Sequence, residues 1–191
     1  MVKVGMMALA VLAAVAVNAY ELSWVRINTS CDIEIVKTET DTKNVKTMYQ
    51  SWGDEAKRKQ LVTFEITSPG SEQLTDFSFS FQLPADSKVT VNLQGPYKKT
   101  GDQLERINVV FTEIKASGAT LRNGDFSAVT DGKPGWWNMY SANPDSKPFA
   151  APGKIVVWHN GFFNQVIEVP KDTVITVSGK CRMAAPADLG Q

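Results

Sequence analysis

The chain has 191 residues, with 20 Lys and Arg against 20 Asp and Glu, one His and two Cys. That charge balance argues against a nucleic-acid footprint, because the only basic run, Lys57-Arg58-Lys59, directly follows Asp54 and Glu55. One His and two Cys without metal-ligand spacing argue against a structural zinc site, and the length suits one well-packed domain better than two.

Lys3 followed by the apolar run Val4–Val17 and by Val17-Asn18-Ala19 reads as a secretory signal with cleavage after Ala19. The run is too short for a comfortable membrane span. The expected organisation is a signal at 1–19, one domain at 20–185 and a loose tail at 186–191. An exported cysteine pair most economically forms one disulfide, here Cys31–Cys181, with two buried free thiols as the alternative.

Beyond the signal, almost every segment alternates with period two and none shows a helical stripe. The alternation begins with Cys31, Ile33 and Ile35, and a weaker strand is expected at Val45–Tyr49. Ser51–Gln60, which holds Trp52, reads as a loop with one helical turn. Val62, Phe64 and Ile66 alternate with polar neighbours. Phe77, Phe79, Phe81 and Leu83 do so most cleanly, as a half-buried antiparallel strand requires. Val89, Val91 and Leu93 repeat the pattern before Gly95-Pro96 breaks it.

Ile107–Ile114 changes parity between Phe111 and Ile114, which predicts a bulge. Asn138–Gly153 is rich in Pro, Ser, Ala and Asn and reads as a long surface loop. Ile155–Trp158 and Phe163–Val169 flank the hairpin turn Asn160-Gly161. Ile175, Val177 and Cys181 share one face of the last strand. Strands at regular intervals with Gly and Pro turns predict an all-β antiparallel sandwich.

Asn123-Gly124-Asp125-Phe126 followed by Gly135-Trp136, then Gln165-Val166-Ile167-Glu168-Val169, resembles the opening and later strands of carbohydrate-binding modules of families four and nine. Phe111-Thr112-Glu113-Ile114 is similar to their closing strand. The resemblance implies a galactose-binding-like jelly roll. The closing pattern precedes the opening one here, which implies a circular permutation. The family often holds a structural calcium ion, and Glu113 and Asp125 would be its oxygen donors. By the same resemblance Trp136 matches a packed position.

Sugars present flat C–H faces that aromatic rings stack on, while amides bond their hydroxyls. The expected ligand residues are therefore Trp137, Tyr140, Trp158, Asn160, Phe162 and Asn164. Phe163 and Gln165 share the inward parity, and a structural hydrogen bond is expected at least as much as ligand contact for Gln165. No nucleophile elbow, phosphate loop, CxxC or HExxH is present, so no catalytic residues are assigned.

The expectation is a non-catalytic carbohydrate-binding module that is secreted, periplasmic or on the cell surface. No nucleic-acid partner and no stable membrane insertion are expected after signal removal. The alternatives are an envelope protein that uses the same sandwich for contacts with other proteins and a small glycan-active enzyme.

Overall fold

A computed structural model describes residues 20–38, 42–50, 59–68 and 72–189. The signal expected at 1–19 and Trp52 lie outside the described residues. The strands are β1 (Tyr20–Thr29), β2 (Glu34–Thr38), β3 (Thr42–Gln50), β4 (Lys59–Ser68), β5 (Thr75–Gln82), β6 (Ser87–Gln94), β7 (Lys99–Thr100) and β8 (Gln103–Leu104). They continue with β9 (Val109–Ser117), β10 (Val129–Thr130), β11 (Lys133–Pro134), β12 (Asn138–Ser141), β13 (Phe149–Ala151), β14 (Lys154–Val157), β15 (Gly161–Val169) and β16 (Ile175–Met183).

Two six-stranded antiparallel sheets form the expected sandwich. One has the order β12-β15-β6-β1-β4-β3, the other β13-β14-β9-β16-β5-β2. β7–β8 and β10–β11 are separate two-stranded ribbons.

The alternation explains the layers. In β5, Phe77, Phe79 and Phe81 face the interior, as do Phe64 of β4, Phe111 of β9 and Phe163 of β15. Phe64 stacks on Phe79 across the two sheets at 3.6 Å between ring centres. Each such buried ring contributes about 1.5–3 kcal/mol of transfer free energy.

The expected bulge lies in β9. Thr112 is opposite Lys180 and Lys115 opposite Ser178, so Glu113 and Ile114 together face Gly179. Glu113 takes φ +54° and absorbs the extra residue. A Cβ at Gly179 would lie 2.5 Å from Ile114 Cδ1, so the glycine leaves the space that the inward-turned Ile114 fills.

Several expectations need correction. The first described strand is Tyr20–Thr29, whereas the alternation had been read from Cys31. Cys31 instead sits in the turn after β1, where its N–H donates to Thr29 Oγ1 at 3.4 Å. Cys31 and Cys181 are free thiols. Ser23 Oγ donates to Cys181 Sγ at 3.4 Å, near the opposite end of β1 from Cys31. Six residues of strand separate Ser23 from Thr29, roughly 20 Å. A disulfide needs Cα atoms within about 7 Å, so the geometry forbids the bridge. The terminal strands also do not lie side by side, because β1 and β16 belong to different sheets.

The stretch Asn138–Gly153 is not one loop. It holds β12, a 3-10 turn at Pro144–Ser146 and β13. The tail is not loose over its described part, since Pro186–Leu189 forms a 3-10 turn with Asp188 buried. Asp188 Oδ2 accepts from Arg182 Nη1 at 2.6 Å and from Ala185 N at 2.8 Å. Its Oδ1 accepts from Lys154 Nζ at 2.7 Å.

Candidate functional site

Asn123–Trp137 forms a knot against the edge of β9. Ile114 N donates to Gly124 O at 2.8 Å. A side chain at Gly124 would collide with the Ile114 carbonyl oxygen. The Asn123 side chain then ties the following loop. Its Nδ2 donates to Ala128 O at 2.9 Å and to Gly135 O at 3.1 Å, and its Oδ1 accepts from Ala128 N at 3.0 Å. Phe126 is fully buried.

The two adjacent tryptophans are reversed relative to expectation. Trp136 takes φ +65°, a backbone conformation that L-residues rarely adopt, and is 60% exposed. Trp137 is 6% exposed and packs on Phe126 with ring centres 5.5 Å apart. Its Nε1 donates to Asn123 O at 3.2 Å. Trp137 is therefore a core residue, and Trp136 is the ring left in solvent.

Trp158 is also structural. It is buried, and its Nε1 donates to Ser146 O at 2.9 Å. The Arg106 guanidinium lies over its ring at 5.1 Å. Asn160 is half-buried, and its carbonyl accepts from Ala142 N at 2.9 Å.

The remaining expected ligand residues do come together. Tyr140 on β12 is opposite Phe162 on β15, and Asn138 is opposite Asn164. The Tyr140 and Phe162 rings stack at 4.7 Å and 27°. Tyr140 is 47% exposed, and Phe162 and Asn164 are half-buried.

Register carries this row further across the sheet. Phe163 pairs with Leu93, and Leu93 with Val25, so Phe162, Gln94 and Trp24 lie side by side on the opposite parity of the sheet, with Gln94 buried between the two rings. Trp24 stacks near Tyr97 at 6.4 Å, and His159 meets both rings edge-on, at 5.3 Å from Trp24 and 4.8 Å from Tyr97. Trp24 and Tyr97 were missed in the sequence. Trp24, Arg26 and Asn28 occupy the outward parity of β1, and that alternation was the signal available for Trp24.

Arg26 sits over Trp24 at 4.3 Å. Burial pushes its guanidinium down to about 10, partly offset by Glu65. Desolvation, and then the charge of Arg26, hold His159 below the ordinary imidazole value, while a backbone hydrogen bond with Gly95 opposes them. His159 is thus a neutral ring in this corner near pH 7.

The expected calcium donors are engaged elsewhere. Glu113 pairs with Lys180 at 3.0 Å, and Asp125 Oδ1 accepts from Ser127 N at 3.2 Å and Ser127 Oγ at 3.1 Å. Among the described residues, no three His, Cys, Asp or Glu side chains gather into a metal-binding group. Glu113 is thus held in an ion pair, and Asp125 closes a turn.

Gln165 is buried, as its parity indicated, and makes the structural bonds expected of it. It holds the 118–122 segment beside β15. Between that segment, Trp136 and Val166–Glu168 lies a groove of about 620 Å³.

Comparison with protein-family models, with curated proteins and with solved structures returns no match to this chain.

Proposed function

We propose that this protein is an exported, non-catalytic carbohydrate-binding sandwich of the jelly-roll kind, which holds a glycan on the outer face of the β12–β15 sheet. The observation that carries the reading is the exposed Tyr140–Phe162 stack, with the Asn138–Asn164 amide pair directly beside it. Stacked rings offer a flat apolar platform at low entropic cost. The neighbouring amides offer both donors and acceptors to hydroxyls. Trp24 and Tyr97 extend the aromatic surface on the far side of Gln94.

Contacts with other envelope proteins are the competing use of such a sandwich. Long unpaired edges would favour it. Three of the four outermost strands are short, at four residues for β12, three for β13 and five for β2.

A glycan-array screen followed by calorimetry tests the reading. Tyr140→Ala combined with Phe162→Ala is expected to weaken binding at least tenfold. Val174→Ala, at an exposed position outside this face, is expected to leave binding unchanged. Wild-type affinity in the double variant overturns this site.

A further inference from the structure

We propose that the groove beneath Trp136 is a second subsite, which takes a neutral pyranose unit of the same glycan chain that lies on the Tyr140–Phe162 stack. The inference rests on the carbohydrate-binding reading above and adds a separate set of residues.

The placement follows from β12. Trp136, Asn138 and Tyr140 alternate, and all three are exposed. Four residues separate the two aromatic positions, the last three of them, Asn138–Tyr140, in strand, so the rings lie at most roughly 13 Å apart along the chain. Asn138 lies between them, opposite Asn164. β12 begins at Asn138, so among the described residues β15 from Gln165 to Val169 has no partner strand on that side. The 118–122 segment runs there instead, pinned by Gln165, and the groove is the space left between them.

Trp136 combines two features that folding alone disfavours. A non-glycine residue at φ +65° is strained, and a 60% exposed tryptophan buries little apolar area in return. A glycine would satisfy this turn at lower cost. Such an outlier points to a role for the ring in solvent.

The lining identifies the ligand class. Arg122 and Glu168 both border the groove, and neither has an ion pair among the described residues. Arg122 supplies donors and Glu168 acceptors, in keeping with vicinal hydroxyls. Their charges cancel, and a sugar carboxylate drawn to Arg122 is opposed by Glu168. A neutral sugar therefore fits better than a uronic acid. The groove's size lies within the usual range for small-ligand sites, about 300–1,000 Å³.

The test is titration calorimetry of the intact chain with cello-, laminari-, xylo- and manno-oligosaccharides, each as a disaccharide and a hexasaccharide, and with an oligogalacturonate of the longer length. Trp136→Ala and Trp136→Gly are expected to lower affinity for the best hexasaccharide about tenfold and to leave the disaccharide unaffected. The glycine variant accepts the positive φ and guards against a folding defect in the alanine one. Arg122→Met and Glu168→Gln should each weaken the hexasaccharide alone, whereas Tyr140→Ala should weaken both lengths. Unchanged hexasaccharide affinity in both Trp136 variants, or preference for oligogalacturonate, overturns the subsite. If Tyr140→Ala still abolishes binding in that case, the carbohydrate reading stands and only the subsite falls. If no saccharide binds the wild type, both fall together.

Discussion

Gln165 grips the backbone of Arg122 with both ends of its amide. Its Oε1 accepts from Arg122 N at 2.7 Å and its Nε2 donates to Arg122 O at 2.9 Å. The side chain thereby imitates one rung of a β-ladder where β15 lacks a neighbouring strand among the described residues. Gln165→Leu keeps the volume but removes both bonds. It is expected to destabilise the protein by about 1–3 kcal/mol in urea titration. Gln165→Glu can replace the acceptor when ionised and the donor only when protonated, so that variant should gain stability as pH falls toward 4.

The tryptophan pair gives a sharper contrast. Trp137→Ala empties a site against Phe126 and is expected to cost about 3–5 kcal/mol. Trp136→Ala should change stability by no more than about 0.5 kcal/mol. Trp136→Gly should be more stable than Trp136→Ala by about 1 kcal/mol, because glycine accepts φ +65° without a Cβ clash. Denaturant midpoints of the three variants decide the matter, and equal losses at the two positions would refute the assignment of Trp137 to the core.

Asp188 anchors the tail through charge. The Arg182 guanidinium first, and then Lys154 and Ala185 N, hold its carboxyl well below the usual carboxylate range, against the opposing effect of burial. A depressed carboxylate contributes stability above its unfolded pKa, about 3.9, and loses it as pH falls below that value. Asp188→Asn is expected to cost about 2–3 kcal/mol at pH 7. The gap between wild type and variant should narrow below pH 4. A gap independent of pH would show that packing rather than charge holds the tail.

The thiols should behave differently from one another. Cys181 is fully buried, and burial pushes its thiol up to about 12. Cys31 is half-exposed in a turn. Native protein at pH 8 is expected to yield one fast thiol to an alkylating reagent, and denatured protein two. Reduction beforehand should leave the alkylated mass unchanged. A native chain with no reactive thiol, recovering two on reduction, would restore the disulfide.

The layer architecture was legible because alternation is a local property. Phe77, Phe79 and Phe81 declare an inward face without reference to any other strand. The bulge at Glu113 was legible for the same reason, as a slip in parity. Trp136 and Trp137 were not. Adjacent residues in regular strand must face opposite ways, but which one faces inward depends on the turn before them. Here that turn is set by Asn123, whose side chain binds Gly135 O from twelve residues away. The disulfide misreading has a similar origin. Two cysteines on apolar parities looked compatible, yet parity does not say which end of a strand a residue occupies. β1 went unread beside the apolar run Val4–Val17, and the aromatic corner of Trp24, Tyr97 and His159 went with it.

The placement of the first and last long strands bears on how the chain folds. β1 lies between β6 and β4, while β16 lies between β9 and β5. The second sheet cannot be completed until Ile175–Met183 has been made and has paired between partners about 65 and 100 residues upstream. Pairings so distant carry a high loop-closure cost before any contact repays it. Partial chains ending before β16 would therefore stay open rather than fold strand by strand, and acquisition of structure should be slow and all-or-none.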